Sequence, residues 1–250
     1  MSRPDNPTAI VTGGSSGIGR AVAIDLAQRG AHVLITGRGT KALERTTALH
    51  ANIVGLRADS ADPVDAARTV ARAVELWGRL DVLVNNAGAG GILPLAQATA
   101  SRITDIFAVN VLGPSLLAAA ALPLLSKSRG VIVNISSTYG HKPVANLSHY
   151  AASKAALEHL TRCWALELAP QGIRVNGVAP GPTESAALTG MMGLSPQLAE
   201  QIKEQERQRI PLGRRGVPHD IARWVVALVD PTADWITGQI ITVDGGLDLV

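Results

Sequence analysis

The chain has 250 residues, 46% hydrophobic and 17% charged, with a net charge of +3 and one cysteine. A chain of this size buries roughly 70–75% of its unfolded surface, enough for a full core, and its composition excludes a disordered polymer. Lys and Arg alternate with Asp and Glu and aromatics make up only 3%, so no nucleic-acid partner is expected. The lone cysteine cannot close an internal disulfide and no charged-then-apolar leader is read, which fits a reducing cytoplasm.

A loose tail is expected over residues 1–7. Short β-branched runs then alternate with helical patterns, and strands are predicted at 9–12, 32–36, 53–58, 80–85, 130–136, 174–179 and 240–243. Unbroken apolar strands separated by crossover helices indicate a doubly wound α/β fold, a parallel seven-stranded sheet in a single domain over 1–250. The apolar run 116–125 is too short for a bilayer span and is broken by Pro123, so it reads as a buried helix and no membrane segment is expected. Cys163 is expected in the core. Residues 184–216 break the rhythm with Gly190, Met191, Met192, Gly193 and Pro196 before a polar helix, the pattern of a lid over a site. The basic residues Arg207, Arg209, Arg214 and Arg215 read as a solvated face.

The first strand runs into T-G-G-S-S-G-I-G at 12–19, and a helix opens near Ile18. Gly13, Gly17 and Gly19 allow a tight turn and close approach of a pyrophosphate to free backbone N–H groups, with Ser15 and Ser16 in the same loop. The spacing is G-x-x-x-G-x-G rather than the commoner G-x-G-x-x-G. At the end of the second strand, Gly37 stands where a carboxylate would bind a ribose 2′-hydroxyl. Arg38 follows with a guanidinium suited to a 2′-phosphate, with Lys41 expected to assist, so NADP(H) is favoured and NAD(H) is the alternative. Asp59 and Ser60 end the third strand and either read the adenine edge or cap the next helix. Asn86, Ala87 and Gly88, in N-N-A-G, are small enough to let the backbone run beside a cofactor.

Y-A-A-S-K places Tyr150 and Lys154 on one helical face, where the ammonium is expected to draw the phenol pKa toward neutrality. Together the Gly-rich loop, N-N-A-G, Asn110, Ser137, Tyr150, Lys154, Pro180–Gly181 and the final V-D-G-G resemble the classical short-chain dehydrogenase/reductase family over essentially the whole chain. That resemblance implies that Ser137 hydrogen-bonds the substrate oxygen and Tyr150 protonates it. It further implies that Lys154 tunes Tyr150 and holds the nicotinamide ribose, and that Asn110 holds a water linking Lys154 to solvent. Pro180, Gly181, Thr183 and Ser185 would flank the nicotinamide carboxamide, and a homotetramer is implied. Ser185 stands where the family often has Thr.

The resemblance implies an NADP(H)-dependent oxidoreductase interconverting ketones and secondary alcohols. Ile92, Leu93, Pro94, Leu95, the segment 138–149, Leu188, Met191 and Met192 are the expected pocket residues, a mostly aliphatic wall for a small apolar carbonyl or alcohol substrate. The alternatives are a 3-oxoacyl-[acyl-carrier-protein] reductase, which a basic patch near the cleft would favour, and a non-catalytic protein that senses NADP(H).

Overall fold

The computed structural model describes residues 6–250. Seven parallel strands form one sheet: β1 (Thr8–Val11), β2 (His32–Gly37), β3 (Ile53–Arg57), β4 (Val82–Asn85), β5 (Val131–Ile135), β6 (Arg174–Pro180) and β7 (Ile240–Val243). Their order is β3-β2-β1-β4-β5-β6-β7. Alternate residues of each strand enter different cores. Ala9, Val11, Val33, Ile35, Val82, Val84, Val131 and Val133 pack with α1 (Gly17–Gln28) and α8 (Pro218–Val229). Ile10, Leu34, Leu83 and Ile132 pack on the other face with α3 (Pro63–Trp77), α5 (Gly113–Ser128) and α6 (Ser148–Leu168). Burial on both faces explains why the strands read as continuous apolar runs instead of alternating ones.

The connections follow local chemistry. Asp62 starts α3 by accepting a bond from Val64 N–H, Pro63 occupies the first turn, and the helix stops at Gly78, whose φ of 67° suits glycine. The shorter helices α2 (Thr40–Thr47) and α4 (Ala100–Phe107) complete the crossovers after β2 and β4. The sheet begins at Thr8, and the Pro7 carbonyl already accepts from His32 N–H at 2.9 Å. The loose tail expected at 1–7 is therefore tied to the sheet at Pro7, and residues 1–5 lie outside the described ones.

Three expectations need correction here for physical reasons, the third only in part. Pro123 does not break its helix, because α4, a π-helical turn at Ala108–Leu112 and α5 run on as one helical stretch, Ala100–Ser128. That stretch is long enough, and over its most apolar 18-residue window apolar enough, to cross a bilayer by length and composition, although here it packs as a crossover helix against α3 and the sheet. Cys163 is exposed, because the inward stripe of α6 runs through Leu157, Thr161, Ala165 and Leu168 and leaves it to one side. The basic residues read as a solvated face are so only in part: Arg209 and Arg214 are exposed and Arg207 is half-buried, whereas Arg215 is buried. Arg207 pairs with Glu200 and Glu204, Arg214 with Asp220, and Arg215 with Glu184 and Glu206.

The excursion at 184–216 has both ends fastened. Glu184 N–H donates to the Gly216 carbonyl at 2.8 Å, and Gly216 N–H donates to Pro182 at 2.9 Å. Between them lie a second π-helical turn, Ala187–Met191, and α7 (Pro196–Arg209), which the Ser195 hydroxyl caps. Arg215, whose side chain is 4% exposed, donates to the Thr183 carbonyl at 2.8 Å and holds Glu184 at 3.0 Å.

Candidate active site

β1 lies between β2 and β4, so chain order reverses across it, and ligands of open α/β sheets bind at the carboxyl ends of strands beside such a reversal. A cleft of about 600 Å³ opens there. It runs from Gly13, Ser15, Ser16, Gly17, Ile18 and Arg38, past Asp59 and Ser60, to Asn86, Ala87 and Gly88. Farther along stand Ser137, Tyr150 and Lys154, then Pro180, Gly181, Thr183 and Ser185, with Leu188, Met191 and Met192 over them. Residues as far apart in the chain as Gly13 and Arg215 thus line one cleft.

The Gly-rich loop is shaped by its glycines. Gly13 and Gly17 have φ of 64° and 52°, and a Cβ on Gly19 would lie 2.5 Å from the Gly13 carbonyl oxygen. Gly19 is therefore placed behind the loop it supports. Asn86 knits that loop to β4, because its side-chain amide donates to the Thr12 carbonyl at 2.8 Å and to Gly13 at 3.3 Å. The Thr12 hydroxyl in return accepts from the Asn86 and Ala87 N–H groups at 2.9 and 3.0 Å. The Ser16 side chain makes no cap bond at the start of α1, which leaves its hydroxyl and the first N–H groups of the helix to a phosphate. The glycine cradle and these donors fit a dinucleotide.

Arg38 is exposed at the cleft edge, and its carbonyl accepts from Arg57 Nε at 3.2 Å. Arg57 was not anticipated, since its nearness to Arg38 arises only when β3 pairs with β2. Lys41, expected to assist, does not line the cleft. Asp59 lines the cleft, and its Oδ1 accepts from Ala61 N–H at 3.0 Å within its own turn. The helix cap ahead of Pro63 is Asp62 instead.

The reactive groups sit where β5 ends and α6 begins its inward stripe. Lys154 is 3% exposed and its Nζ donates to the Ile135 carbonyl at 2.8 Å. Nζ lies 5.9 Å from the centre of the Tyr150 ring. Ser137 is buried at the strand end, and its hydroxyl accepts from Tyr139 N–H at 3.2 Å while standing within reach of the Tyr150 phenol. The expected lowering of the Tyr150 pKa by Lys154 is reversed in the free protein. Burial pushes the phenol above its usual range, the Ser137 hydroxyl pulls it partly back, and the neighbouring Tyr139 adds to the rise. Burial also pulls the Lys154 ammonium down to about 8, with the Glu158 carboxylate pushing it back up. A phenol that keeps its proton is equipped to donate it.

Asn110 occupies the π-helical turn and is 1% exposed. Its side-chain oxygen accepts from Ala89 N–H at 2.8 Å, and its amide donates to the Ala89 carbonyl at 2.8 Å and to Ser153 Oγ at 2.9 Å. Ser153 donates onward to the Tyr150 carbonyl at 2.7 Å. The side chain expected to hold a water thus ties the loop after β4 to the first turn of α6.

The expected substrate wall is partly corrected. Leu188, Met191, Met192 and Tyr139 line the cleft, whereas residues 92–95 do not. Leu93 is buried, its N–H donating to the Asn146 carbonyl at 2.7 Å, and Leu95 faces outward. His141, Lys142 and His149 also lie off the cleft. In their place Glu206 and Arg215 reach it from the lid, together with Gly90, where a Cβ would come within 2.9 Å of the Tyr150 ring. The sequence signal for Glu206 and Arg215 was confined to a charge pattern, because their approach depends on how α7 folds back.

Residues 13–248 match the family described as enoyl-(acyl carrier protein) reductase. A putative ketoacyl reductase 2 of the granaticin polyketide synthase from Streptomyces violaceoruber is 40% identical over 99% of this chain and 98% of its own. The 7alpha-hydroxysteroid dehydrogenase of Escherichia coli K12 is 34% identical over 98% of this chain and 95% of its own. The crystal structure of a 3-ketoacyl-(acyl-carrier-protein) reductase from Brucella melitensis complexed with NADH superposes with a TM-score of 0.91 at 31% identity, covering 98% of this chain and all of that one. A short-chain dehydrogenase/reductase of unknown function from Caenorhabditis elegans, solved with cofactor, reaches 0.92 at 34% identity over 98% of this chain and 96% of that one.

Proposed function

The chain belongs to the short-chain dehydrogenase/reductase family, and on that premise we propose that it is an NADP(H)-dependent reductase of ketones with an apolar body, with Tyr150 as the proton donor. The observation that carries this reading is the convergence of two hydroxyls, Ser137 and Tyr150, beside the buried Lys154 on the wall of a cleft roofed by Leu188, Met191 and Met192. When bound, the reduced nicotinamide supplies hydride to the carbonyl carbon. Ser137 donates a hydrogen bond to the carbonyl oxygen and Tyr150 transfers its proton to that oxygen, so the developing alkoxide is neutralised as it forms. Lys154 steadies the phenolate left behind. Asn110 and Ser153 hold the backbone of the first turn of α6, which fixes where the phenol points.

Two neighbouring hydroxyls suit an oxygen, which favours carbonyl reduction over saturation of a carbon–carbon double bond. The lid sets the substrate class. Aliphatic and thioether side chains reward an apolar body, and their variety of rotamers suits more than one shape. The similarity to ketoacyl reductases supports a carrier-bound 3-oxoacyl substrate as the second reading. Against it, Arg207, Arg214 and Arg215 near the lid are each paired with carboxylates, which reduces the positive charge that side of the cleft offers an acidic carrier. A panel of free ketones, diketones, keto esters and 3-oxoacyl thioesters, followed by NADPH oxidation, tests the choice. Free ketones are expected to give the higher kcat/KM, and a preference for thioesters overturns the first reading.

Cofactor choice rests on Arg38, beside Arg57, where no carboxylate follows β2. Arg38→Asp is expected to lower kcat/KM with NADPH at least about ten-fold and to raise the preference for NADH, because a phosphate partner is replaced by a repelling charge. Steady-state kinetics with both dinucleotides decide it, and an unchanged ratio removes Arg38 from the argument. A homotetramer in the cytoplasm completes the proposal.

A further inference from the structure

The exit of β5 grips a stripe on α6 at three points. The Ile135 carbonyl takes the Lys154 ammonium at 2.8 Å, the Ser136 hydroxyl donates to Glu158 Oε1 at 2.8 Å, and the Ser137 hydroxyl meets the Tyr150 phenol. Tyr150, Lys154 and Glu158 are spaced by four residues, so they stack along one helical face. Glu158 is 3% exposed, a carboxylate held inside the protein. Its Oε1 also meets His141 Nδ1 at 3.0 Å, and the other imidazole nitrogen of His141 lies 3.3 Å from Thr242 Oγ1 and 3.7 Å from Asp248. The backbone is shaped around that carboxylate, because a Cβ on Gly140 would sit 2.5 Å from Oε1.

Nothing in this arrangement needs a negative charge for hydrogen bonding alone. A glutamine would accept from Ser136 equally well, and an ionised carboxylate is costly to bury unless an opposite charge answers it. Lys154, one turn earlier on the same face, is the buried ammonium that can do so. We propose that Glu158 is a positioning residue for proton transfer, which keeps the Lys154 ammonium charged inside the protein and so extends carbonyl reduction to higher pH. This rests on the reading of Tyr150 and Lys154 as the proton-transfer pair. The directions agree, since burial drives Lys154 toward the neutral amine and Glu158 opposes it.

Other titratable and charged groups also surround this stripe. Tyr150 and Tyr139 are both pushed upward by burial and stay neutral through the relevant range. Lys142 donates to the Val250 carbonyl, Asp244 accepts from Thr138 at 3.2 Å, and Asp248 faces the far side of His141. Of these groups, His141 is in direct contact with Glu158, its Nδ1 lying 3.0 Å from Oε1.

The test uses the full chain as wild type, Glu158→Gln, Glu158→Asp and Gly140→Ala, with two readouts. One is the pH dependence of kcat for ketone reduction. The other is the pH dependence of Lys154 acetylation by acetic anhydride in the free protein, followed by peptide mass spectrometry, which reports the amine without any turnover. In Glu158→Gln the alkaline limb of kcat and the acetylation transition are both expected to move down by about one pH unit. Glu158→Asp should hold both near their wild-type positions, because it keeps the charge. Gly140→Ala, which displaces the carboxylate through its new Cβ, should shift acetylation in the same direction as Glu158→Gln and provides an independent route if that variant folds poorly. An acetylation transition that stays in place in both Glu158→Gln and Gly140→Ala overturns the inference whatever the activity does. A transition that moves while the limb of kcat stays put supports the electrostatic coupling and overturns the use of Lys154 in the reaction.

Discussion

Tyr150→Phe is expected to lower kcat for ketone reduction by about 10²–10⁴-fold while leaving dinucleotide affinity within a few-fold. The change removes one hydroxyl and nothing else. The ring keeps its place against Gly90, where there is no room for a side chain, and Lys154 keeps its bond to the Ile135 carbonyl. The Gly-rich loop is built by Thr12, Gly13, Gly19 and Asn86 and does not depend on the phenol. Loss of turnover with retained binding therefore isolates proton donation. Steady-state kinetics and a fluorescence titration of NADPH on the same preparation separate the two quantities. A variant that turns over like the wild type would remove Tyr150 from the mechanism, while one that loses cofactor binding as well would show a structural role.

Gly19→Ala should act at the other end of the cleft and through packing. The added Cβ would lie 2.4 Å from Asn86 Nδ2 and 2.5 Å from the Gly13 carbonyl oxygen. Neither neighbour can yield freely, because Gly13 is backbone at a φ of 64° and the Asn86 amide is committed to Thr12 and Gly13. Overpacking of this kind costs about 1–3 kcal/mol of stability. The larger effect is expected on binding, with the dissociation constant for NADPH rising at least about ten-fold as the loop is pushed out of its cradle, a penalty of about 1.4 kcal/mol. Denaturant midpoints and calorimetric titration measure both. Wild-type affinity in a folded variant would mean that the loop accommodates the methyl group and that the glycine spacing is not what shapes the phosphate site.

Much of the fold could be read from the chain because its signals are local. Strands covered on both faces leave apolar runs such as V-I-V-N-I, and the glycines of the first turn announce themselves by residue type, whereas the cap ahead of Pro63 is Asp62 and not the Asp59 or Ser60 that the sequence suggested. The site was legible to the extent that its members carry recognisable spacings, as Ser137, Tyr150 and Lys154 do. What stayed hidden depends on burial and on pairing between distant segments. Cys163 lies within an apolar stretch but falls off the inward stripe of α6, and a proline in the second half of α5 leaves the helix intact. The direction of the Tyr150 pKa followed from spacing only as long as desolvation was ignored. Residues 92–95 have the composition of a pocket wall, yet the chain turns Leu93 inward and Leu95 out. Glu158 shares the four-residue spacing of Tyr150 and Lys154, and its significance appears only when Ser136 and His141 are seen to close around it.

The π-helical turn at Ala108–Leu112 bears on how this chain tolerates changes in length. Such a turn amounts to one residue more than an α-helix needs, accommodated as a bulge in an otherwise continuous stretch from Ala100 to Ser128. Removing one residue there would let the ladder revert to a regular helix and rotate everything on one side by about 100° relative to the other. Asn110 could then no longer face Ala89 and Ser153 while Leu117, Ala118 and Ala121 kept their places in the core. The count of residues between α4 and α5, and not only their identity, is thus part of what aims the phenol of Tyr150.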